Sequence, residues 1–263
     1  MLRTSKTSRL SILALLLAAT AAVAADSPPS RVLAPSGKLK VGLYTGTPTS
    51  IVQASDGPRG VGYDLGAALA KKLGVPYEPV VFAKNAEVLE AVKTGKVDAA
   101  FTNASATRAK DMDFGPIYLE GDLGYLVPNG SKIAASADVD NKGIRVGVTA
   151  GSSSDAELSH DLKNAEIVRV PAITMVPEMF ASGKIDVFAT NKATLYEIAE
   201  QSAGAKVLDG HWGLERHAIA IPKGRDQGHA FIEQFTEQAK ASGMVADAIK
   251  RSGLRAAATA PPK

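Results

Sequence analysis

An internal repeat is the feature of this chain that most constrains its fold. The run GKVDAAFTN at residues 95–103 recurs without a gap as GKIDVFATN at residues 183–191. Upstream, LKVGLYTGT at residues 39–47 is matched by IRVGVTAGS at residues 144–152. Segments that occur twice in the same order, about 90 to 105 residues apart, are typical of two similar units in one polypeptide. The repeat therefore predicts two α/β lobes with a groove between them.

The N-terminus has the pattern of a secretory signal peptide. Arg3, Lys6 and Arg9 precede an apolar run at residues 10–23, and small residues follow before Asp26. The run is shorter than the roughly 20 residues that a membrane-spanning helix needs. We therefore expect residues 1–25 to be removed on export to the periplasm.

Charge and cysteine content exclude several classes of protein. Residues 1–25 hold three of the 30 Lys and Arg residues and none of the 27 Asp and Glu residues, so 27 of each remain. Such a balanced surface does not favour nucleic-acid binding. The chain has no cysteine, which excludes disulfides, thiolate chemistry and lipid attachment through an N-terminal cysteine. We expect a secreted protein that is not a lipoprotein and whose core alone stabilises it.

Apolar periodicity predicts the same alternation of strands and helices in both halves. Strands are expected at residues 39–43, 77–82, 97–101, 144–148, 167–170 and 185–189, and helices at 62–73, from 85, 153–162 and 176–182. The alternation predicts a parallel or mixed sheet covered on both faces in each lobe. Gly74 is predicted to end the first helix, and Asn85 to cap the second.

Two short apolar segments, at residues 123–127 and 218–221, predict hinge strands that connect the lobes. The predicted organisation is a signal peptide at 1–25, a first lobe of 26–124 plus 219–263, and a second lobe of 125–218. Within the first lobe, residues 26–37 are interpreted as a leader arm and residues 256–263 as a frayed tail.

Polar loops that follow the predicted strands are the candidate binding site. In open α/β sheets, ligands bind beyond the carboxyl ends of the strands. Gly151, Ser152 and Ser153 follow a strand and open a helix, so their backbone N–H groups are suited to a carboxylate or phosphate. The alternative is that Ser153 or Ser154 only caps this helix.

Arg108 lies just past a predicted strand, and its paired donors match a carboxylate. The alternative is a surface salt bridge with Asp111 or Asp113. Asn103 and Asn191 occupy equivalent positions of the repeat, where each is either a ligand-binding amide or a turn residue.

Two aromatic side chains have open roles. Tyr44 is either a wall of the site or a core residue, and Trp212 either covers the cleft or packs beneath its loop. No enzyme motif accompanies them. The four histidines lack metal-ligand spacing, and no nucleophile elbow or glycine-rich phosphate loop is present. We predict no metal, no cofactor and no catalytic residue.

Taken in order, these segments resemble the family 3 extracellular solute-binding proteins, the periplasmic receptors that feed polar amino acid transporters. The similarity covers about residues 37–253, with matching segments at 37–42, 62–74, 95–100, 108–114, 146–153, 183–186 and 219–224. The resemblance implies two Rossmann-like α/β lobes joined by two hinge strands, the periplasmic binding protein type II fold, with the ligand cleft between the lobes.

The resemblance also implies roles for individual residues. Arg108 would clamp an α-carboxylate together with Ser153 at its helix N-terminus, and the other positions would contact the ligand or shape its pocket. The implied ligand-binding set is Tyr44, Thr47, Asn103, Ser105, Arg108, Ser152, Ser153 and Asn191. Asn191 stands where the family usually has an Asp that pairs with the α-ammonium, so the sequence leaves open whether the ligand carries an amino group.

The implied function is that of a monomeric periplasmic component of an ABC importer. It would bind a small carboxylate-bearing solute, an amino acid or a related compound, and present it to an inner-membrane permease. Two alternatives share the fold: a cyclohexadienyl-type dehydratase, which needs a general acid in the cleft, and a ligand sensor or accessory protein.

Overall fold

A computed structural model describes residues 28–262, so the predicted signal peptide lies outside the described residues. The chain divides into two compact units. The first unit runs up to Tyr118 and resumes at His217–Ser252 and from Pro261, and the second comprises Leu119–Arg216 and Gly253–Ala260. The chain thus passes between the units near residues 118, 216, 252 and 260. The lobe bounds derived from the sequence stay a prediction.

The first unit is built on a mixed sheet with the strand order β4-β1-β5-β11. Strand β1 pairs in parallel with β4 and β5, and β11 is antiparallel to β5. A short hairpin of β2 and β3 is separate from this sheet. The strands are β1 (Leu39–Tyr44), β2 (Val52–Ala54), β3 (Gly57–Arg59), β4 (Tyr77–Phe82), β5 (Ala99–Asn103) and β11 (Gly213–Pro222), the last entering from the second unit. The helices are α1 (Pro28–Leu33), α2 (Val61–Leu73), α3 (Asn85–Lys93), α7 (Asp226–Ala241) and α8 (Met244–Ser252).

The second unit repeats the plan. Strand β7 pairs in parallel with β8 and β9, and β9 is antiparallel to β6, which also pairs with β10 and β12. The strands are β6 (Met112–Val127), which begins in the first unit, β7 (Arg145–Thr149), β8 (Glu166–Val170), β9 (Val187–Asn191), β10 (Lys206–Val207) and β12 (Ala257–Thr259). The helices are α4 (Ser153–Asp161), α5 (Val176–Ala181) and α6 (Lys192–Gln201). Both predicted hinge segments lie within long strands, β6 and β11.

The repeated aspartate performs the same task in each unit. In the first unit Asp98 accepts a hydrogen bond from the backbone N–H of Lys40 at 2.9 Å. In the second, Asp186 accepts one from the backbone N–H of Arg145 at 2.9 Å and a further pair from its guanidinium. Each carboxylate therefore ties the turn before one strand to the start of its neighbour.

The repeated glycine also has a physical reason. A Cβ atom at Gly42 would lie 3.0 Å from Val88 and 3.1 Å from Val97, and one at Gly147 would lie 3.0 Å from Ile185. Val97 and Ile185 occupy equivalent positions of the repeat. Close packing of β1 and β7 against these side chains therefore favours glycine at the two positions.

The first predicted helix is confirmed, with one face of Leu65, Leu69 and Leu73 buried. Gly74 ends it in the left-handed conformation at φ 72°, which glycine adopts without steric cost. The prediction that Asn85 caps the next helix is wrong. Asn85 is already helical, and the carboxylate of Glu87 accepts hydrogen bonds from the N–H groups of Ala83 and Lys84 instead.

Both terminal segments are more ordered than the sequence indicated. Residues within the expected leader arm form α1, whose Leu33 is 1% exposed and packs over Gly228 of α7. The expected frayed tail contains β12, in which Ala257 pairs with Gly121 of β6. The interpretation of this tail as frayed is therefore wrong for residues 257–259, because backbone pairing with a distant strand orders them.

Candidate functional site

The ends of β1 and β5 bring the first group of predicted site residues to one sheet edge. These strands are parallel neighbours, with Val41 opposite Ala99 and Gly42 opposite Ala100. The loops that begin at Tyr44 and Asn103 therefore leave the sheet on the same side. Asn103 itself is buried, with 6% of its surface exposed.

Arg108 is held in place by its own loop and by the end of β5. It begins a single 3-10 turn, Arg108–Lys110, and its backbone N–H donates to Oγ of Ser105 at 3.3 Å. Its Nη1 donates to Oγ1 of Thr102 at 3.1 Å and to the backbone oxygen of Asn103 at 2.9 Å. Both acceptors are neutral, so they orient the guanidinium without adding a negative charge. Thr102, for which no sequence pattern indicated a role, is thus a positioning residue for Arg108.

The acidic residues near Arg108 have other cationic partners. Asp111 forms an ion pair with Lys93 at 3.1 Å, and Asp113 forms one with Lys223 at 2.5 Å. Each of the two carboxylates that the salt-bridge alternative named for Arg108 thus has a lysine partner.

Tyr44 and Thr47 belong to the framework of the same edge. The ring of Tyr44 is partly buried against a core cluster that includes Val88 and Val92, and its N–H donates to Oγ of Ser50. Thr47 is 5% exposed, and its hydroxyl lies 3.0 Å from that of Thr49. Both side chains therefore help to fix the loop after β1.

A second group of predicted residues lies in the second unit, where β7 and β9 are parallel neighbours. Val148 lies opposite Ala189, so Gly151–Ser153 and Asn191 follow the two strands at one edge of this sheet. The helix cap is Ser152, whose Oγ accepts from the N–H of Asp155 at 3.1 Å. The expectation that Ser153 or Ser154 is the cap is wrong by one residue. Ser153 is instead the first residue of α4 and is half-buried.

One carboxylate at this edge, that of Asp155, is fully engaged. It accepts hydrogen bonds from the N–H of Gly151 and Nε of Arg169, each at 3.0 Å, and from Oγ of Ser159. Burial alone would raise the pKa of Asp155, but these hydrogen bonds and the charge of Arg169 outweigh it and lower the pKa. Asp155 is therefore an ionised, structural carboxylate at neutral pH.

Asn191 serves as the N-cap of α6. Its Oδ1 accepts from the N–H of Thr194 at 3.0 Å. The turn-residue alternative for Asn191 is therefore present in the structure, with its side-chain oxygen bound to the helix. The next residue, Lys192, is only 7% exposed and was not predicted. The sequence offered one signal for it, a cation in the first turn of a helix, where the helix dipole disfavours positive charge.

Trp212 packs rather than covers a site. Its Nε1 donates to the backbone oxygen of Gly124 at 2.9 Å, and its ring lies 6.0 Å from that of Tyr125. The packing role that the sequence left open is therefore the one in the structure.

The predicted set thus forms two groups. One edge of the first unit carries Tyr44, Thr47, Asn103, Ser105 and Arg108, and one edge of the second carries Ser152, Ser153 and Asn191. Their roles in ligand binding stay predictions. Across residues 28–262 there is no cluster of His, Asp or Glu arranged for a metal ion. No helix in the same range has the length and apolar composition of a membrane span.

Comparison with known proteins gives partial likenesses to two classes of curated protein. The glutamine-binding protein GlnH of an ABC transporter from Bacillus subtilis is 25% identical over 162 residues, which are 61% of this chain and 59% of that protein. The membrane-bound lytic murein transglycosylase F of Vibrio cholerae is 38% identical over 84 residues, 31% of this chain and 16% of that protein. The chain thus matches less than two thirds of the length of either relative.

Among solved structures, the chain is similar to the ancestral amino acid-binding protein AncCDT-1, a precursor of cyclohexadienyl dehydratase. The identity is 25%, the TM-score is 0.70, and the similarity covers 86% of this chain and 99% of that one. The fold is therefore the two-lobed α/β fold that the sequence predicted. The family model of the bacterial extracellular solute-binding proteins, family 3, matches residues 39–252, and the chain belongs to that family.

Proposed function

We propose that this protein is the solute-binding component of an ABC importer and that its ligand is a small carboxylate-bearing solute, an amino acid or a related compound. The observation that carries the proposal is the arrangement of Arg108, a guanidinium fixed by Thr102 and Asn103 at a strand-end edge. A guanidinium offers paired N–H donors that match the two oxygens of a carboxylate.

The second unit contributes the other anion-binding element. At the start of α4, Oγ of the N-cap Ser152 accepts a hydrogen bond from the N–H of Asp155. Ser153 adds a hydroxyl group beside the first N–H groups of the helix. Such a helix N-terminus favours negative charge. In the proposed mechanism ligand binding shifts the population of protein conformations, and the permease recognises the ligand-bound form.

The same residues support binding rather than catalysis. A dehydratase needs a general acid beside its substrate, which in turn needs a carboxyl group that holds a proton near neutral pH. Asp155 has a lowered pKa and several hydrogen-bond donors, so it does not meet this need. The other predicted contacts are amides, hydroxyls and a guanidinium. We propose that the protein is not an enzyme.

The proposed location is the periplasm, reached through a signal peptide at residues 1–25. The basic start, apolar run and small residues of this segment support export. The absence of cysteine from the chain supports a protein without an N-terminal lipid anchor. We further propose that it acts as a monomer with an inner-membrane ABC permease as partner.

The test is a thermal-shift screen of the purified protein against amino acids and against carboxylates that lack an amino group, followed by calorimetry on the strongest ligand. A ligand at 1,000 times its dissociation constant stabilises the protein by about 4 kcal/mol.

Arg108→Ala is expected to weaken binding about 10- to 150-fold. Arg59→Ala, an exposed arginine of β3, is the matched control and should bind normally. Unchanged affinity in Arg108→Ala would contradict the carboxylate role, and turnover of prephenate or arogenate would contradict the assignment as a binding protein.

A further inference from the structure

The loop that precedes α4 is tied to strand β8 by an ion pair within the second unit. Gly151, in the turn between β7 and α4, adopts the left-handed conformation at φ 71°. Its N–H donates a hydrogen bond to Oδ2 of Asp155 at 3.0 Å, and Nε of Arg169 in β8 donates to the same oxygen at 3.0 Å. One carboxylate oxygen therefore connects the predicted binding loop, residues 150–153, to a neighbouring strand.

Arg169 lies at the same end of the sheet as this loop. In the parallel pairing of β7 and β8 its partner is Val148, one residue before the end of β7. Paired positions present their side chains on one face of a sheet, and Val148 belongs to the core cluster that includes Leu158 of α4. The strand register thus directs Arg169 towards α4, where its guanidinium meets Asp155.

Asp155 also fixes the start of the helix. Its N–H donates to Oγ of the N-cap Ser152 at 3.1 Å, and its Oδ1 accepts from Oγ of Ser159 at 3.1 Å. Nη2 of Arg169 donates to the same Ser159 hydroxyl at 3.3 Å. The side chain of Asp155 is 9% exposed and that of Arg169 is 58% exposed. A nearly buried carboxylate is therefore held between the loop and an arginine that solvent reaches.

The charge of Asp155 is needed for these contacts. Burial raises the pKa of Asp155, and the hydrogen bonds from Gly151, Ser159 and Arg169 lower it by more, so the carboxylate is ionised at neutral pH. Without Arg169 the carboxylate would lose a donor that fixes its position, and the N–H of Gly151 would lose a fixed acceptor. The turn at Gly151 sets the direction of the first N–H groups of α4, which have no partner within the helix.

We propose that Arg169 is a positioning residue for solute binding. Through Asp155 it holds the predicted binding loop in the conformation that presents the Ser153 hydroxyl and the first N–H groups of α4. This inference rests on the proposed function and adds a residue that acts on the loop rather than on the solute. A loop that is fixed before binding loses less conformational freedom when the solute binds, so the ion pair between β8 and α4 raises the affinity.

The test is calorimetric titration with L-glutamine, L-arginine and succinate, and it follows the probe that binds most tightly. Arg169→Gln should weaken binding of that probe about 3- to 10-fold, a modest factor because the arginine is exposed. Arg169→Lys restores a charged donor and should recover most of the affinity. The matched control is Arg145→Gln, which removes the ion pair with Asp186 at the start of β7, the opposite end of this sheet. Its affinity should stay within about twofold of the original.

A double substitution and a measurement without ligand separate positioning from a general loss of stability. Asp155→Asn should itself lower the affinity, and addition of Arg169→Gln should then change it by less than about twofold, since the arginine acts through the carboxylate. The NMR signal of the Gly151 amide should titrate with Asp155 on acidification. In Arg169→Gln it should titrate at a higher pH, because a nearby positive charge favours the ionised carboxylate.

Unchanged affinity in Arg169→Gln, an equal loss in Arg145→Gln, or additive losses in the double variant would overturn the inference. It would also be overturned if the Gly151 signal titrated at the same pH in Arg169→Gln as in the unmodified protein. Loss of binding in Arg108→Ala together with unchanged binding in Arg169→Gln would refute this inference alone and leave the proposed function standing.

Discussion

The Oγ1 atom of Thr102 lies 3.1 Å from Nη1 of Arg108, and the threonine itself is 3% exposed within β5. The same hydroxyl donates a hydrogen bond to Oδ1 of Asn85, at the start of α3, with a distance of 3.5 Å between the two oxygens. With its proton directed to Asn85, the hydroxyl oxygen presents a lone pair to the guanidinium. The orientation of Arg108 is therefore linked to a strand and a helix of the first unit.

Thr102→Val is expected to weaken binding of the strongest ligand about 5- to 30-fold, a loss of about 1 to 2 kcal/mol. Valine keeps the shape of threonine but cannot accept the hydrogen bond from Arg108, so the guanidinium loses a contact that orients it. Calorimetric titration measures the effect. Thr102→Ser, which restores an acceptor, should recover most of the affinity. If valine and serine bound equally well, Thr102 would have no positioning role.

Substitution of Asn191 separates its capping role from its ligand role. Asn191→Ala should lower the free energy of unfolding by about 1 kcal/mol, because the N–H of Thr194 loses its acceptor. Asn191→Asp keeps the cap and places a negative charge at a helix N-terminus and beside Lys192, so its stability should equal or exceed the original. Urea unfolding without ligand measures both. An alanine variant as stable as the original would show that the cap contributes nothing.

Gly147→Ala tests the close packing of the repeated glycine. The added methyl group would lie 3.0 Å from Cδ1 of Ile185, and we expect a loss of about 1 to 3 kcal/mol in the free energy of unfolding. Ile185→Val removes that Cδ1 and alone should cost about 1 kcal/mol. Combined, the two changes should cost less than the sum of their separate effects. Gly42→Ala, in the other unit, is the control, because its effect should add to that of Ile185→Val.

Asp186 makes part of the stability dependent on pH. Hydrogen bonds from Arg145 lower the pKa of Asp186 below its ordinary value, so folding favours the ionised form. This contribution is fully present above the unfolded-state pKa of about 4 and is lost as pH falls through the lower folded-state pKa. At pH 7, Asp186→Asn should cost about 1 kcal/mol, a small value because the pair is partly exposed. The difference between the two proteins should shrink on acidification to about pH 2, and a constant difference would refute the linkage.

Much of the secondary structure was predictable because short-range patterns of residues along the chain specify it. The spacing of Leu65, Leu69 and Leu73 and the glycine after them were sufficient to place α2 and its end. The repeat itself predicted that the two units would share a plan. These signals depend on neighbouring residues, so no knowledge of distant contacts was needed.

Features that depend on distant partners were missed. Strand β12 exists because Ala257 pairs with Gly121, and no property of the tail sequence alone indicates that pairing. Capping was misplaced for a different reason. Several polar residues near each helix start can accept the same N–H groups, and backbone geometry selects Ser152 over Ser153 and Glu87 over Asn85.

Residues of the candidate site were predicted from the sequence, but their arrangement in space was not. Arg108 and Asn191 were found from their positions after strands, whereas the positioning role of Thr102 and the burial of Lys192 follow from the structure. A lysine is usually exposed, so sequence reasoning treats it as surface. The structure shows how Lys192 is buried: its aliphatic stem occupies the space beside Gly124, where any other residue would have a side chain.

The duplicated carboxylates Asp98 and Asp186 hold each sheet together from the ends of the strands opposite to the candidate site. The carboxylates that stabilise the sheets are thus different residues of the repeat from those predicted to bind the ligand. A chimera that exchanges only residues 150–153 and 190–192 with those of a relative would leave both carboxylate ties untouched. We therefore expect that grafting these two short loops would change the solute preference without changing the scaffold that carries them.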